Sequence, residues 1–301
     1  MAGSSAVPNV STPSLCYESA ARARMSEVGR LPCTWARYDD VAEPYERFQV
    51  SNGYARLARN LAAALTLTPG ASLLDVGCGS GAALLAAQQA AGGRGLMVGL
   101  DISSAMLRRA SAGGAAHLVA GIVPGLPFLD GCFDGVTASL VLSHVERCDA
   151  ALRDMVRILR RGGRLGVSAG APSGNRPNIA YRMWEETAKS LIGREALRDA
   201  KTQVAPWEEW LADPAHLEAA LESSGLEEIA VHQREYPVTM PTEDYLSMLD
   251  LFAYGRFLRH RLGRARWEEF RASVGGKVAA HGLSQIEYTS RYHIAVGTRP
   301  R

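Results

Sequence analysis

Disulfide chemistry is the first thing missing from these 301 residues. The five cysteines (Cys16, Cys33, Cys78, Cys132, Cys148) are odd in number and never spaced as C-x-x-C. Neither a disulfide framework nor a zinc site is therefore expected, and a reducing cytoplasm fits. A long hydrophobic run is missing as well. The longest apolar stretches, around Leu61–Leu67 and Ala82–Ala91, are Ala-rich and far short of a bilayer span, so no membrane segment is expected. The first thirty residues are rich in Ser, Pro and Ala, with no basic start followed by an apolar run. That argues against a secretory leader and suggests a loose arm. Charge of one sign is scarce too: the net charge is +2, with signs mixed along the chain. A protein that neutralises many phosphates needs far more, so nucleic acid is not an expected partner. The one local excess, Arg256–Arg266 (RFLRHRLGRAR), reads as a solvated helix face. His216, His232, His260, His281 and His293 have no metal-ligand spacing and are read as structural or solvated, so no metal is expected.

A chain of this length with 47% hydrophobic residues can bury a full core as one large domain or as a domain with a cap. Strand and helix signals alternate through its middle, which implies a mostly parallel sheet with helices on both faces. Seven short apolar segments fit strands: Ser72–Val76, Leu96–Asp101, His117–Ala120, Gly135–Leu140, Arg164–Ala169, Glu227–Tyr236 and Arg291–Thr298. Helical patterns at Tyr54–Leu65, Ala82–Ala91, Ser104–Ala110, Ala150–Leu159 and Ala215–Ser223 have the usual crossover length. The expected organisation is an arm over residues 1–52, a core from 53 to 170, a helical insertion over 171–214, and the rest of the sheet over 215–301. A second helical insertion interrupts that last part at 239–285.

The two insertions carry aromatic and sulfur side chains at helical spacing. Tyr181, Met183, Trp184, Trp207 and Trp210 lie in the first, and Tyr245, Met248, Phe252, Tyr254, Phe257 and Trp267 in the second. Open α/β sheets bind ligands at the carboxyl ends of their strands, so the insertions are expected to form a lid over that edge. Their aromatics either line an acceptor pocket there or simply pack the insertions onto the core.

One segment carries the strongest functional signal. LLDVGCGSGAALLAA begins as a buried strand, turns tightly at Gly77-Cys78-Gly79-Ser80-Gly81 and continues as an Ala/Leu helix. Glycines let the backbone take conformations costly for other residues and let a ligand touch the main chain. The second strand ends in Asp101, 22 residues past Gly79, where a carboxylate can accept hydrogen bonds from a ribose diol. Turn and acid together point to a nucleotide-like cofactor. They also fit NAD, because Gly77, Gly79 and Ala82 satisfy G-x-G-x-x-A.

Four further stretches follow in order: GLDISSAMLRRA, GLPFLDGCFDGVTASLVLSHV, MVRILRRGGRLGVS and, near the end, RYHIAVGT. With DVGCGSG they resemble the motifs of the class I S-adenosylmethionine-dependent methyltransferases, in particular the small-molecule enzymes related to ubiquinone and menaquinone biosynthesis. The resemblance runs from about Tyr54 to Ser168. It implies a Rossmann-like methyltransferase fold with helical lid insertions, and S-adenosylmethionine as cofactor. Gly77, Gly79 and Gly81 then face its methionine and ribose, and Asp101 takes the ribose hydroxyls. Asp75 organises the loop or reaches the methionine amino group, and Ile102 and Met106 flank the adenine. Ser139 and Leu140 form the floor beside the methyl. A tyrosine of the arm, Tyr38 or Tyr45, closes over the cofactor, or the arm only packs on the sheet edge; Trp35 precedes them. Where relatives carry Gly-Asp ahead of LPF, this chain has Gly121-Ile122, so the usual acceptor for the adenine amino group is missing at Ile122. One hydrogen bond is worth on the order of 0.5–1.5 kcal/mol, a loss that binding survives.

The expected activity is methyl transfer to a small organic molecule, a secondary metabolite or a quinone- or phenol-like ring. The alternative is a methyltransferase-fold protein that keeps the cofactor as a scaffold for another reaction. His144, four residues past Leu140, is the candidate base, with loop packing as its other role. Asp134 is read as a brace before the fourth strand and Arg157 as a surface or cap residue. A homodimer is left open.

Overall fold

The computed structural model describes residues 38–51, 53–172 and 178–301. Residues 1–37, with Trp35, Cys16, Cys33 and most of the expected arm, lie outside the described residues. Strands form where short runs of Leu and Val leave no polar face. LLDV at Leu73–Val76 (β1) and MVGLD at Met97–Asp101 (β2) are buried at every position, as strands covered by helices on both sides must be. β3 (His117–Ala120), β4 (Phe133–Ser139), β5 (Leu159–Gly170), β6 (Glu227–Pro241) and β7 (Gln285–Thr298) complete a seven-stranded sheet. Its order is β3-β2-β1-β4-β5-β7-β6. The first five strands are parallel, and β7 runs antiparallel to both neighbours. The doubly wound α/β architecture read from the alternation is the one observed.

The chain leaves β1 toward β2 and β3, then returns to start β4 on the other side of β1. This reversal opens a crevice beyond the carboxyl ends of β1 and β4, where such sheets hold ligands. Helices α1 (Ala42–Ser51), α2 (Tyr54–Ala64), α3 (Ala82–Ala90), α4 (Ser104–Ala112) and α5 (Cys148–Ile158) surround this half. Asp134 braces the opposite edge: its Oδ2 accepts from Ser72 N and Oγ, both at 2.8 Å, and its Oδ1 from Arg160 Nη1 at 2.8 Å. Arg157 does more than cover a helix surface. It donates to the carbonyls of Leu126 and Phe128 and to Asp130 and Asp154, stapling the LPF segment onto α5.

Helices α6 (Ile179–Ile192), α7 (Arg194–Val204), α8 (Glu208–Leu211) and α9 (Pro214–Ser223) follow β5; α10 (Thr242–Leu251) and α11 (Ala253–Ala279) lie between β6 and β7. Both outer strands run longer than their apolar runs suggest. From Tyr236↔Ser290 to Pro241↔Gln285 they form a two-stranded ribbon beyond the end of β5. The ribbon alternates buried Tyr236, Val238 and Met240 with exposed residues, a period that is hard to see in a short segment next to helices. It carries α10 and α11 toward α6. The two insertions then share one core, in which Trp184 stands edge-on to Phe270 at 5.6 Å and Trp267 stacks on Phe270 at 5.3 Å. Trp184, Tyr245, Met248 and Trp267 are thus interior to the lid, because helices that join only at their tips must bury a face of their own.

Candidate active site

The glycine turn adopts the backbone its composition anticipates. Gly77, Gly79 and Gly81 all have positive φ (65°, 53° and 92°), a region that side chains with a Cβ avoid. Cys78 N donates to Leu100 O at 3.0 Å, and Gly81 N to Cys78 O at 2.8 Å, so the turn closes on itself and on β2. Asp101, at the end of β2, is nearly buried and fixes the same turn from below. Its Oδ2 accepts from Gly79 N at 2.8 Å and its Oδ1 from Ser103 N at 2.8 Å. Burial raises its carboxyl above the ordinary range, against the two backbone donors. Each oxygen keeps further acceptor capacity. Asp101 is thus a strut of the loop as well as a candidate ribose ligand.

Asp75 differs in one respect. Its Oδ1 accepts from Thr137 Oγ1 at 2.8 Å. Oδ2, equally buried, has no hydrogen-bond partner among the described residues. Burial, reinforced by the neighbouring Asp101 charge and opposed by Thr137 and the Leu84 N–H, pushes the carboxyl up to about 7. A buried oxygen without a donor is costly, and a cationic ligand group at the turn would satisfy it.

Of the two residues expected beside an adenine, Ile102 is half-exposed at the end of β2, whereas Met106 is buried in the first turn of α4 and presents no open face. Ser103 Oγ accepts from Met106 N at 3.2 Å and caps the start of α4. Ile122 is half-buried just after β3 and offers no side-chain acceptor. At the floor, Leu140 has φ 58°, an uncommon conformation for a branched side chain. Its N–H donates to Ser168 Oγ at 3.1 Å, and Ser168 Oγ lies 3.2 Å from Ser139 Oγ. The strained residue is therefore anchored to β5.

The arm's described part sits across the crevice mouth. Asp39 accepts from Ala105 N at 2.9 Å and from the hydroxyls of Ser103 and Ser104, and Glu46 pairs with Arg109, fastening α1 to α4. Tyr38 lies ahead of α1 rather than on one of its faces, yet meets Tyr45 edge-on at 5.3 Å. Arg256 of α11 lies 4.4 Å from the Tyr38 ring centroid and is 92% covered, since only 8% of it is exposed. This corrects the reading of Arg256–Arg266: Arg259, Arg261, Arg264 and Arg266 are solvated, but Arg256 is a buried lid residue facing the arm. Its place four residues after Phe252, which packs on Phe48 at 5.4 Å, is the signal that could have found it.

His144 closes the short turn Leu142–His144 after β4 and is exposed. Its Nδ1 lies 3.0 Å from Val204 O. A carbonyl only accepts, so Nδ1 donates this hydrogen bond. The ring ties α7 of the lid to the loop. His144→Ala is therefore expected to raise the KM for the acceptor severalfold and leave kcat within about threefold. A 100-fold fall in kcat at constant KM in steady-state assays would instead make His144 the base.

Residues 74–167 match a family described as a methyltransferase domain. The glycine turn, Asp75 and Asp101 all lie within these residues. The nocamycin O-methyltransferase of Saccharothrix syringae is 36% identical over 143 residues, 45% of this chain and 50% of that protein. A demethylmenaquinone methyltransferase of Symbiobacterium thermophilum is 32% identical over 168 residues, 52% of this chain and 66% of that one. The chain thus spans about half to two-thirds of the length of these curated relatives. Among solved structures, the YcgJ protein of Bacillus subtilis shares the fold, with TM-score 0.52 and 16% identity over 82% of this chain and 99% of that one. Among the described residues, no helix is long and apolar enough to cross a membrane.

Proposed function

We propose that this protein transfers the methyl group of S-adenosylmethionine to a small organic acceptor, a secondary metabolite or a quinone- or phenol-like ring. The observation that carries the reading is the unpartnered Oδ2 of Asp75 beside three positive-φ glycines. It is a buried carboxyl oxygen beside bare backbone, and the ammonium of a methionine moiety would supply its missing donor. Asp101 accepts from the ribose hydroxyls with the capacity its two backbone donors leave unused, and Ile102 lies against the adenine. S-adenosylmethionine supplies an electrophilic methyl on a positively charged sulfur, so the protein's task is to align the acceptor and exclude water. The arm and Arg256 cover the crevice mouth, and the anchored Leu140 and Ser139 give a fixed floor. The relatives named for methylation of nocamycin and of demethylmenaquinone support a small-molecule acceptor.

Calorimetry tests the cofactor directly. S-adenosylhomocysteine is expected to give saturable heat with 1:1 stoichiometry, and NADH none. Heat from NADH alone would sink the reading.

A further inference from the structure

The lid contains one carboxylate that the cofactor site leaves unused. Glu208 begins α8, next to Trp207, and Trp207 is fixed to the loop that leaves β4. Its Nε1 donates to Val145 O at 3.0 Å, and its backbone N to Ser143 O at 3.5 Å. That loop runs on from Leu140 at the end of β4, so α8 is held to the segment that follows the crevice floor. From the other insertion, the hydroxyl of Tyr254 donates to Oε2 of Glu208. Oε1 bonds to no described residue, and the side chain is exposed. Two further phenols come from separate elements: Tyr181 from α6, and Tyr292 from β7, whose strand partner is Gly170 at the carboxyl end of β5. Tyr292 stands at 5.9 Å from both Tyr54 and Tyr236. Burial raises the hydroxyls of Tyr181, Tyr254 and Tyr292 above the usual range, and the charge of Glu208 adds to the rise in all three. One carboxylate thus bonds the phenol of Tyr254 on α11 and acts electrostatically on those of Tyr181 on α6 and Tyr292 on β7.

Resting on the methyl-transfer reading, we propose that this cup is the acceptor site, that it takes a neutral hydroxylated aromatic ring, and that Glu208 Oε1 accepts the proton of the hydroxyl to be methylated. Aromatic side chains hold a flat ring edge-on or offset. A carboxylate makes a strong, charge-assisted hydrogen bond to a hydroxyl. In the reaction the acceptor's O–H bond breaks as its proton moves to Oε1. The oxygen forms its bond to the methyl carbon, and the carbon–sulfur bond breaks with its electron pair left on sulfur. Tyr254 is a positioning residue that holds Oε2 and so aims Oε1.

The test uses the full chain loaded with S-adenosylhomocysteine, with 2-naphthol and 2-methoxynaphthalene as probes in calorimetry. Loading comes first: if S-adenosylhomocysteine does not bind, the methyl-transfer reading falls and takes this proposal with it. If it binds, 2-naphthol is expected to bind at least tenfold more tightly than its ether. Glu208→Gln should bring the two within threefold of each other while S-adenosylhomocysteine affinity stays within twofold. Tyr254→Phe should give a smaller loss of the preference. Absence of 2-naphthol binding, an equal affinity for the ether, or a preference that Glu208→Gln leaves intact would overturn the assignment of Glu208 alone.

Discussion

Asp75→Asn is expected to melt above the wild type at pH 8 and to bind S-adenosylhomocysteine some 10- to 100-fold more weakly. Both effects come from one buried oxygen. The carboxyl, ordinarily at 3.8, is raised to about 7 by burial, with Asp101 adding to the rise. The folded protein therefore favours the protonated form. Its contribution to stability is fully present below 3.8, falls as the pH rises, and is gone above about 7. At pH 8, holding Asp75 ionised costs on the order of 4 kcal/mol in the ligand-free protein. Asparagine cannot ionise and still accepts from Thr137, so it removes that cost. It also removes the charge that would meet the cofactor's ammonium, worth roughly 1.5–3 kcal/mol as a hydrogen bond to a charged group. Wild-type affinity should tighten as the pH rises through about 7, and that of the variant should stay flat. Melting scans at pH 4 and pH 8, paired with calorimetry, check the account. Equal melting temperatures at pH 8 would end it.

Replacing Asp101 has the opposite sign in stability and at least as large an effect on binding. Asp101→Ala takes the acceptors from Gly79 N and Ser103 N at once, freeing the glycine turn and the start of α4. Unmet buried donors cost about 1–3 kcal/mol each, and the ribose contacts go with them. Cofactor affinity should fall by roughly 100-fold or more, with a lower melting temperature at every pH between 5 and 8. Asp101→Asn, whose single side-chain oxygen can satisfy one of the two donors well, should fall between wild type and alanine in both respects. Thermal melts with S-adenosylhomocysteine titration rank the three proteins. Wild-type affinity in Asp101→Ala would show that the residue serves neither the turn nor the cofactor.

Much of this site was legible in local patterns. The strands around Leu74, Leu100 and Val136 announce themselves as apolar runs, and Gly77, Gly79 and Gly81 mark a turn that only positive φ can make. Asp75 and Asp101 are placed by strand ends a fixed distance from that turn. What the sequence did not disclose lies where distant segments meet. Arg256 looks like its solvated neighbours until α11 is packed against the arm. Glu208 stands in an unremarkable acidic pair, and nothing local says that Tyr254, 46 residues later, will donate to it.

The division has a physical cause. Backbone conformation and strand periodicity are set by near neighbours along the chain, so the amino-acid sequence alone determined the α/β fold, the glycine turn and the two carboxylates beside it. Which face of an insertion helix turns inward depends on packing between segments far apart in the chain, a balance of many small contacts. Only the tertiary structure decided that the lid keeps Trp184, Tyr245 and Trp267 for its own core, brings Arg256 to Tyr38, and bonds Tyr254 to Glu208.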